Sequence, residues 1–199
     1  MKNKDQICNP DPEATIESNR SLGYDLNIAI SDLIDNSITA KSKSLWILHK
    51  WDGKDSFIAI YDDGAGMNDD ELFSAMRMGS TSPNVKREPT DLGRFGLGLK
   101  VASWSQCRVL TVATKNDTGK ISLRKWDIDY VSKKNAWLLL SDTDKQSNTI
   151  ITNLLEKADT GTVVLWQNLD RLITLEGNDD ENEQYFYEKI ESLKLYLSM

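Results

Sequence analysis

The stretch LNIAISDLIDNSITA, residues 26–40, constrains the chain most. At about 100° per residue a helix places Leu26, Ile30, Leu33, Ile34 and Ser37 on one broad arc, with Ile38 at its margin. That arc needs a core to face. Asp25, Ala29, Asp32 and Asn36 fall on a second arc, and Asp32 and Asn36 stand one turn apart with side chains leaning the same way. A carboxylate and a carboxamide therefore share one spot.

Around this helix the chain alternates apolar runs with turn signals. Residues 1–20 are polar, carry Pro10 and Pro12, and read as an extended arm with a short helix near residues 14–18. Strands are expected at residues 45–51 and 57–61, joined through Asp52-Gly53, and the second runs straight into DDGAGM. A helix capped by Asn68 or Asp69 spans residues 69–78. Residues 79–93 are rich in Gly, Ser, Thr and Pro without periodicity, and a loop of that length is functional or mobile. The glycine-rich turn GRFGLGLKVASW then enters a helix.

Further strands are expected at residues 108–114, 120–126, 136–140 and 161–166. Residues 147–157 read as strand from their β-branched side chains and as helix from Leu154-Leu155-Glu156-Lys157, and both stay open. Residues 176–183 form an acidic connection and residues 185–199 an amphipathic helix. The order does not alternate as a doubly wound fold would, so the expected class is α/β, a two-layer sandwich of mixed β-sheet with helices on one face.

Composition narrows the functions. The chain has 199 residues, 39% hydrophobic and 28% charged, enough for one buried domain. Its net charge of -7 gives no overall attraction for nucleic acid or anionic membrane. An anionic ligand must then be held by local dipoles and metal, with Lys86, Arg87 and Arg94 the one suggestive basic cluster. No apolar run reaches the roughly 20 residues that span a bilayer, so no membrane role and a cytoplasmic location are expected. Cys8 and Cys107 lack metal-ligand spacing and read as free thiols. His49, inside a strand, reads as structural or exposed rather than catalytic.

Two glycine segments carry the chemistry. GxxxxGK fails because Leu99 follows Gly98, and GxGxxG fails at Gly64-Ala65-Gly66. What remains is GxxGxG over residues 93–98 ahead of a helix, where backbone N–H groups and the helix dipole favour phosphate. DDGAGM bends sharply at a strand end, and Asp62 there suits a hydrogen bond from an exocyclic amino group.

Together these motifs resemble the GHKL ATPases, named for gyrase, the heat-shock chaperone, histidine kinases and MutL, and within them the MORC-like and related bacterial members. Asp32 to Asn36 resembles the family's Glu-x-x-x-Asn, Asp62 to Gly66 its Asp-x-Gly-x-Gly, Gly93 to Gly98 its glycine box and Gly161-Thr162 its late Gly-Thr strand.

The resemblance implies a Bergerat ATP pocket with ATP and Mg²⁺ as ligands. Asn36 would ligate the metal. Asp62 would read the adenine amino group with help from Thr162, and Gly64, Gly66 and Met67 would line the base. Gly93, Arg94, Phe95, Gly96, Leu97, Gly98, Leu99 and Lys100 would surround the phosphates, and residues 79–92 would form the lid.

Catalysis would fall to Asp32, where hydrolysing relatives carry the longer Glu. A second departure is Thr39, where many relatives have Asp. The expected function is Mg-dependent ATP binding and slow hydrolysis driving lid closure and dimerisation of a larger protein. The alternatives are a non-hydrolysing ATP-binding module or the catalytic domain of a histidine kinase.

The expected division is an arm at residues 1–20, an ATP-binding domain at 21–175, and an acidic connection and helix at 176–199 leading to an absent downstream domain. That domain or a partner protein would supply the family's catalytic lysine, since neither Lys86 nor Lys100 is assigned that role, and any nucleic-acid contact would come from outside this chain.

Overall fold

The apolar, β-branched runs pair into one five-stranded sheet in a computed structural model that describes residues 8–21, 24–79, 98–173 and 178–199. The strands are β1 (Leu45–Lys50), β2 (Phe57–Asp62), β3 (Val109–Lys115), β4 (Ile121–Asp127) and β5 (Gly161–Gln167), in spatial order β1-β2-β5-β3-β4. All four pairings are antiparallel, so the sheet is α/β as expected but contains no parallel pair among the described strands, where a mixed sheet was anticipated.

Register decides what the inner face carries. Ile58, Trp166 and Leu110 stand side by side on β2, β5 and β3, and Ile60, Val164 and Val112 form the next row. All six lie in the main core. One period further along, the same face presents Asp62, Thr162 and Thr114. Two apolar rows thus end in a polar row.

The central helix, α2 (Leu26–Thr39), begins where Asp25 accepts the Ile28 N–H at 2.8 Å. Its buried residues are Leu26, Ala29, Ile30, Leu33 and Ser37. Each large aliphatic side chain among them contributes roughly 1.5–3 kcal/mol by leaving water. Ile38 is 58% exposed and stays outside the core.

The helices α1 (Pro12–Arg20), α3 (Asp69–Met76), α4 (Gly98–Trp104), α5 (Ile128–Lys134) and α7 (Asp179–Leu197) pack with α2 on the same core. Proline at the first turn and Asp11 as cap start α1, and Ile16 and Arg20 bury it, so this segment is a docked helix longer than residues 14–18. A reciprocal Asn68–Glu71 capping box starts α3, which ends two residues earlier than expected.

One helix was not anticipated, and two expectations need correction. Residues 128–134 are helical: Asp127 caps the start and Asn135, at φ 46°, ends the helix in the left-handed region. The strand expected at residues 136–140 reduces to a bridge in which Leu140 exchanges two backbone hydrogen bonds with Lys125. The acidic connection becomes helix from Asp179, because Asn178 and Glu181 form a capping box and acidic residues favour a helix amino end; residues 174–177 lie outside the described residues.

The open segment resolves as α6 (Lys145–Leu155), whose Ser147, Ile151 and Leu155 recur every four residues and are buried. It covers Ala59, Ala113, Val163 and Leu165 on the opposite face of the sheet, an addition to the expected single helical layer. Among the described residues no helix is long and apolar enough to cross a membrane.

Candidate functional site

The polar row at the end of the inner face is a linked set. Asp62 is 6% exposed, and its Oδ1 accepts the Gly64 N–H at 2.9 Å while Oδ2 accepts the Ser37 hydroxyl at 2.9 Å. An ionised carboxylate has about four acceptor positions, so capacity remains for a donor from a ligand. Burial pushes its pKa above the usual aspartate range; the Gly64 and Ser37 bonds pull the other way without cancelling it.

Thr162 stands opposite Asp62, and its Oγ1 lies 3.1 Å from that of Thr114. Thr114 Oγ1 also accepts the Met67 N–H at 2.9 Å and reaches the Gly161 carbonyl at 3.1 Å. Sequence reasoning missed Thr114. Its signal is the strand register that places it beside Thr162, which local sequence does not carry.

The DDGAGM turn needs its glycines for space. A Cβ on Gly64 would fall 2.8 Å from Asp62 Oδ1 and 2.9 Å from Ala40 Cβ. Gly66 has φ +67°, and a Cβ there would fall 2.1 Å from the Lys115 carbonyl oxygen. The second aspartate, Asp63, does different work: it accepts from Lys43 N, Ser44 N and Ser42 Oγ at 2.7–2.9 Å and fixes the turn after α2. Those donors, Ser44 N–H foremost, hold its carboxyl below the usual range.

Asp32 is half-buried on α2, and burial, followed by the Asp35 charge, raises its pKa. A Cβ on Gly98 would sit 3.5 Å from Asp32 Oδ2, so the first residue of α4 lies beside this carboxylate. Asn36, one turn on, is exposed. Its carboxamide oxygen is a hard donor, suited to a Mg²⁺ ion that takes its other ligands from phosphate and water. The residues present therefore fit the metal.

Lys100 is buried, its Nζ donates to the Ala75 carbonyl near the end of α3 at 2.6 Å, and burial pushes its pKa down to about 8. Leu99 packs against the main core. Gly93, Arg94, Phe95, Gly96 and Leu97 lie outside the described residues, as does the expected lid from residue 80 to 92. His49 sits in β1 with its ring 6.1 Å from those of both Phe186 and Tyr187, and burial lowers its pKa.

A buried carboxylate at a strand end is thus followed by a bent glycine turn and tied through Ser37 to the helix that bears Asp32 and Asn36. The family described as histidine kinase-, DNA gyrase B-, and HSP90-like ATPase matches residues 24–162. The chain belongs to this family. The matched span runs from just before α2 to Thr162 and so contains the whole polar row. GHKL ATPases share the Bergerat fold, and the antiparallel sheet with its helical layer is that fold here. An 89-residue stretch is also 32% identical to ATPase morc-1 of Caenorhabditis elegans, covering 45% of this chain and 10% of that protein. The matched stretch is thus about a tenth of that relative's length.

Proposed function

We propose that this chain binds ATP with Mg²⁺ and hydrolyses it slowly, and that the cycle closes a lid and dimerises a larger cytoplasmic protein. The observation that carries the reading is the polar row of Asp62, Thr162 and Thr114 at the end of an otherwise apolar sheet face. A buried acceptor-only carboxylate beside two hydroxyls suits the edge of a purine bearing an amino donor. Gly64 and Gly66 let the turn pack against Ala40 and Lys115 beside that carboxylate.

Asn36 would hold the metal, which when bound neutralises charge on the phosphate oxygens. Gly98 and Leu99, with the preceding glycine box, would offer backbone N–H groups to those oxygens. Asp32, beside Gly98, would accept a proton from the attacking water as its oxygen bonds to the γ-phosphorus and ADP leaves. Its raised pKa strengthens it as a base.

Asp is shorter than Glu by one methylene, about 1.5 Å of bond length. That single difference favours the second reading, a non-hydrolysing ATP-binding module. ATP labelled at the γ-phosphate separates the two: phosphate release that disappears in Asp32→Asn supports hydrolysis, and bound but intact ATP with wild type supports the module. Lid closure and dimerisation are tested by ATP-dependent protection of residues 79–92 from protease and by mass in solution.

A further inference from the structure

Arg20 ends α1, and only 2% of it is exposed. A guanidinium so placed needs partners, because an unpaired buried charge is strongly destabilising. Its Nη1 donates to the Trp104 carbonyl at 2.6 Å and to the Cys107 carbonyl at 2.7 Å, and Nη2 pairs with Asp170 Oδ2 at 2.5 Å. Trp104 is the last residue of α4. One helix thus supplies a fixed positive charge to the carboxyl end of another, where free carbonyls and the dipole both favour a cation.

α4 is two turns long, about 10 Å by its rise per residue. Residues 100–104 are all buried. A rod so short and so tightly enclosed transmits a shift from one end to the other. Its far end is Gly98, beside Asp32.

We propose that Arg20 is a positioning residue for the candidate site, holding α4 by its rear carbonyls so that Gly98 keeps its place beside Asp32. The consequence for nucleotide rests on the ATP reading above; the hold on α4 does not. A plainer role would be to tie α1 to the body through Asp170, within the network that Arg108 makes with Glu17, Asp129 and Asp170. The two roles use different atoms of Arg20 and are separable.

Arg20→Lys keeps a charge opposite Asp170 but brings one shorter ammonium to two carbonyls. Asp170→Asn removes the pair at Nη2 and leaves both carbonyl bonds and the Nε pairing with Glu17 at 3.2 Å. Amide hydrogen exchange of residues 98–104 without nucleotide should quicken about tenfold in Arg20→Lys and stay within about twofold of wild type in Asp170→Asn. Unchanged exchange in the first variant, or an equal rise in the second, overturns the assignment. Should Arg20→Lys fail to fold, Asp170→Asn alone decides: steady exchange supports the proposal and faster exchange overturns it.

With nucleotide, Arg20→Lys should weaken Mg·ATP about tenfold while adenosine, followed by NMR titration, stays within about twofold. Parallel losses would mean a general structural effect and overturn the positioning role. If wild type binds no ATP, the functional reading falls, and the exchange result still judges Arg20.

Discussion

The Ser37 hydroxyl donates to Asp62 Oδ2 at 2.9 Å, tying the last full turn of α2 to the end of β2. Both residues are buried, so the bond forms out of water's reach. Ser37→Ala should cost about 1.5–3 kcal/mol in denaturant unfolding, the range for a hydrogen bond to a charged group. It should also raise the Asp62 pKa further, since this bond is one of those holding it down.

Acid should affect the Asp62 contribution to stability and the binding of adenine in opposite directions. Asp62 has a folded pKa above its unfolded value, so its contribution to stability is fully present below the unfolded pKa and is lost as pH rises through the folded one. Adenine binding needs the ionised acceptor and should strengthen over the same interval. Unfolding and ATP titrations across the acidic range, repeated with Asp62→Asn, check the pair of slopes. The variant should lose the Asp62 share of the stability slope, keep the share from Asp32, and bind ATP weakly at every pH.

Gly66→Ala should be severely destabilising, by about 3 kcal/mol or more, because φ +67° and a Cβ at 2.1 Å from the Lys115 carbonyl oxygen both oppose it. Gly53→Ala is the control. Its φ of +52° opposes a side chain equally, but the space is open, and the cost should stay near 1 kcal/mol. Urea midpoints of the two variants give the comparison.

Lys100 should make the protein more stable in mild alkali. Its pKa is pushed down to about 8, so the unfolded chain binds the proton more tightly and stability rises as pH climbs from about 8 toward the ordinary lysine value. The gain across that interval is about 3 kcal/mol. Lys100→Met should flatten that slope in unfolding measured between pH 7 and 10 (about that range suffices).

Much of this was legible in the chain because local pattern and tertiary demand agree. The 3.6-residue period of α2 survives as Leu26, Ile30, Leu33 and Ser37 in the core. The unbroken apolar runs of β2 and β5 survive as strands buried on both faces of the sheet. α6 was ambiguous because Thr149, Ile150, Ile151 and Thr152 are β-branched; Asp144 as cap and the four-residue spacing of its buried side chains decide for helix. α5 is only seven residues long, too short for periodicity to show, and its signals were Asp127 and Asn135 at its ends. Thr114 and Arg20 were invisible for a different reason. The partners that give them their roles, Met67 and Gly161 for Thr114 and Trp104 and Cys107 for Arg20, lie 47 or more positions away, and only the fold brings them together.

The central claim is that Asp62 reads an adenine amino group, and calorimetric titration of Mg·ATP and Mg·GTP into wild type and Asp62→Asn tests it directly. Guanine presents a carbonyl where adenine presents its amino group, so an acceptor-only carboxylate should favour ATP by about a hundredfold. The variant should lose most of its ATP affinity and most of that preference. Equal affinity for the two nucleotides in wild type, or an undiminished preference in Asp62→Asn, would contradict the account.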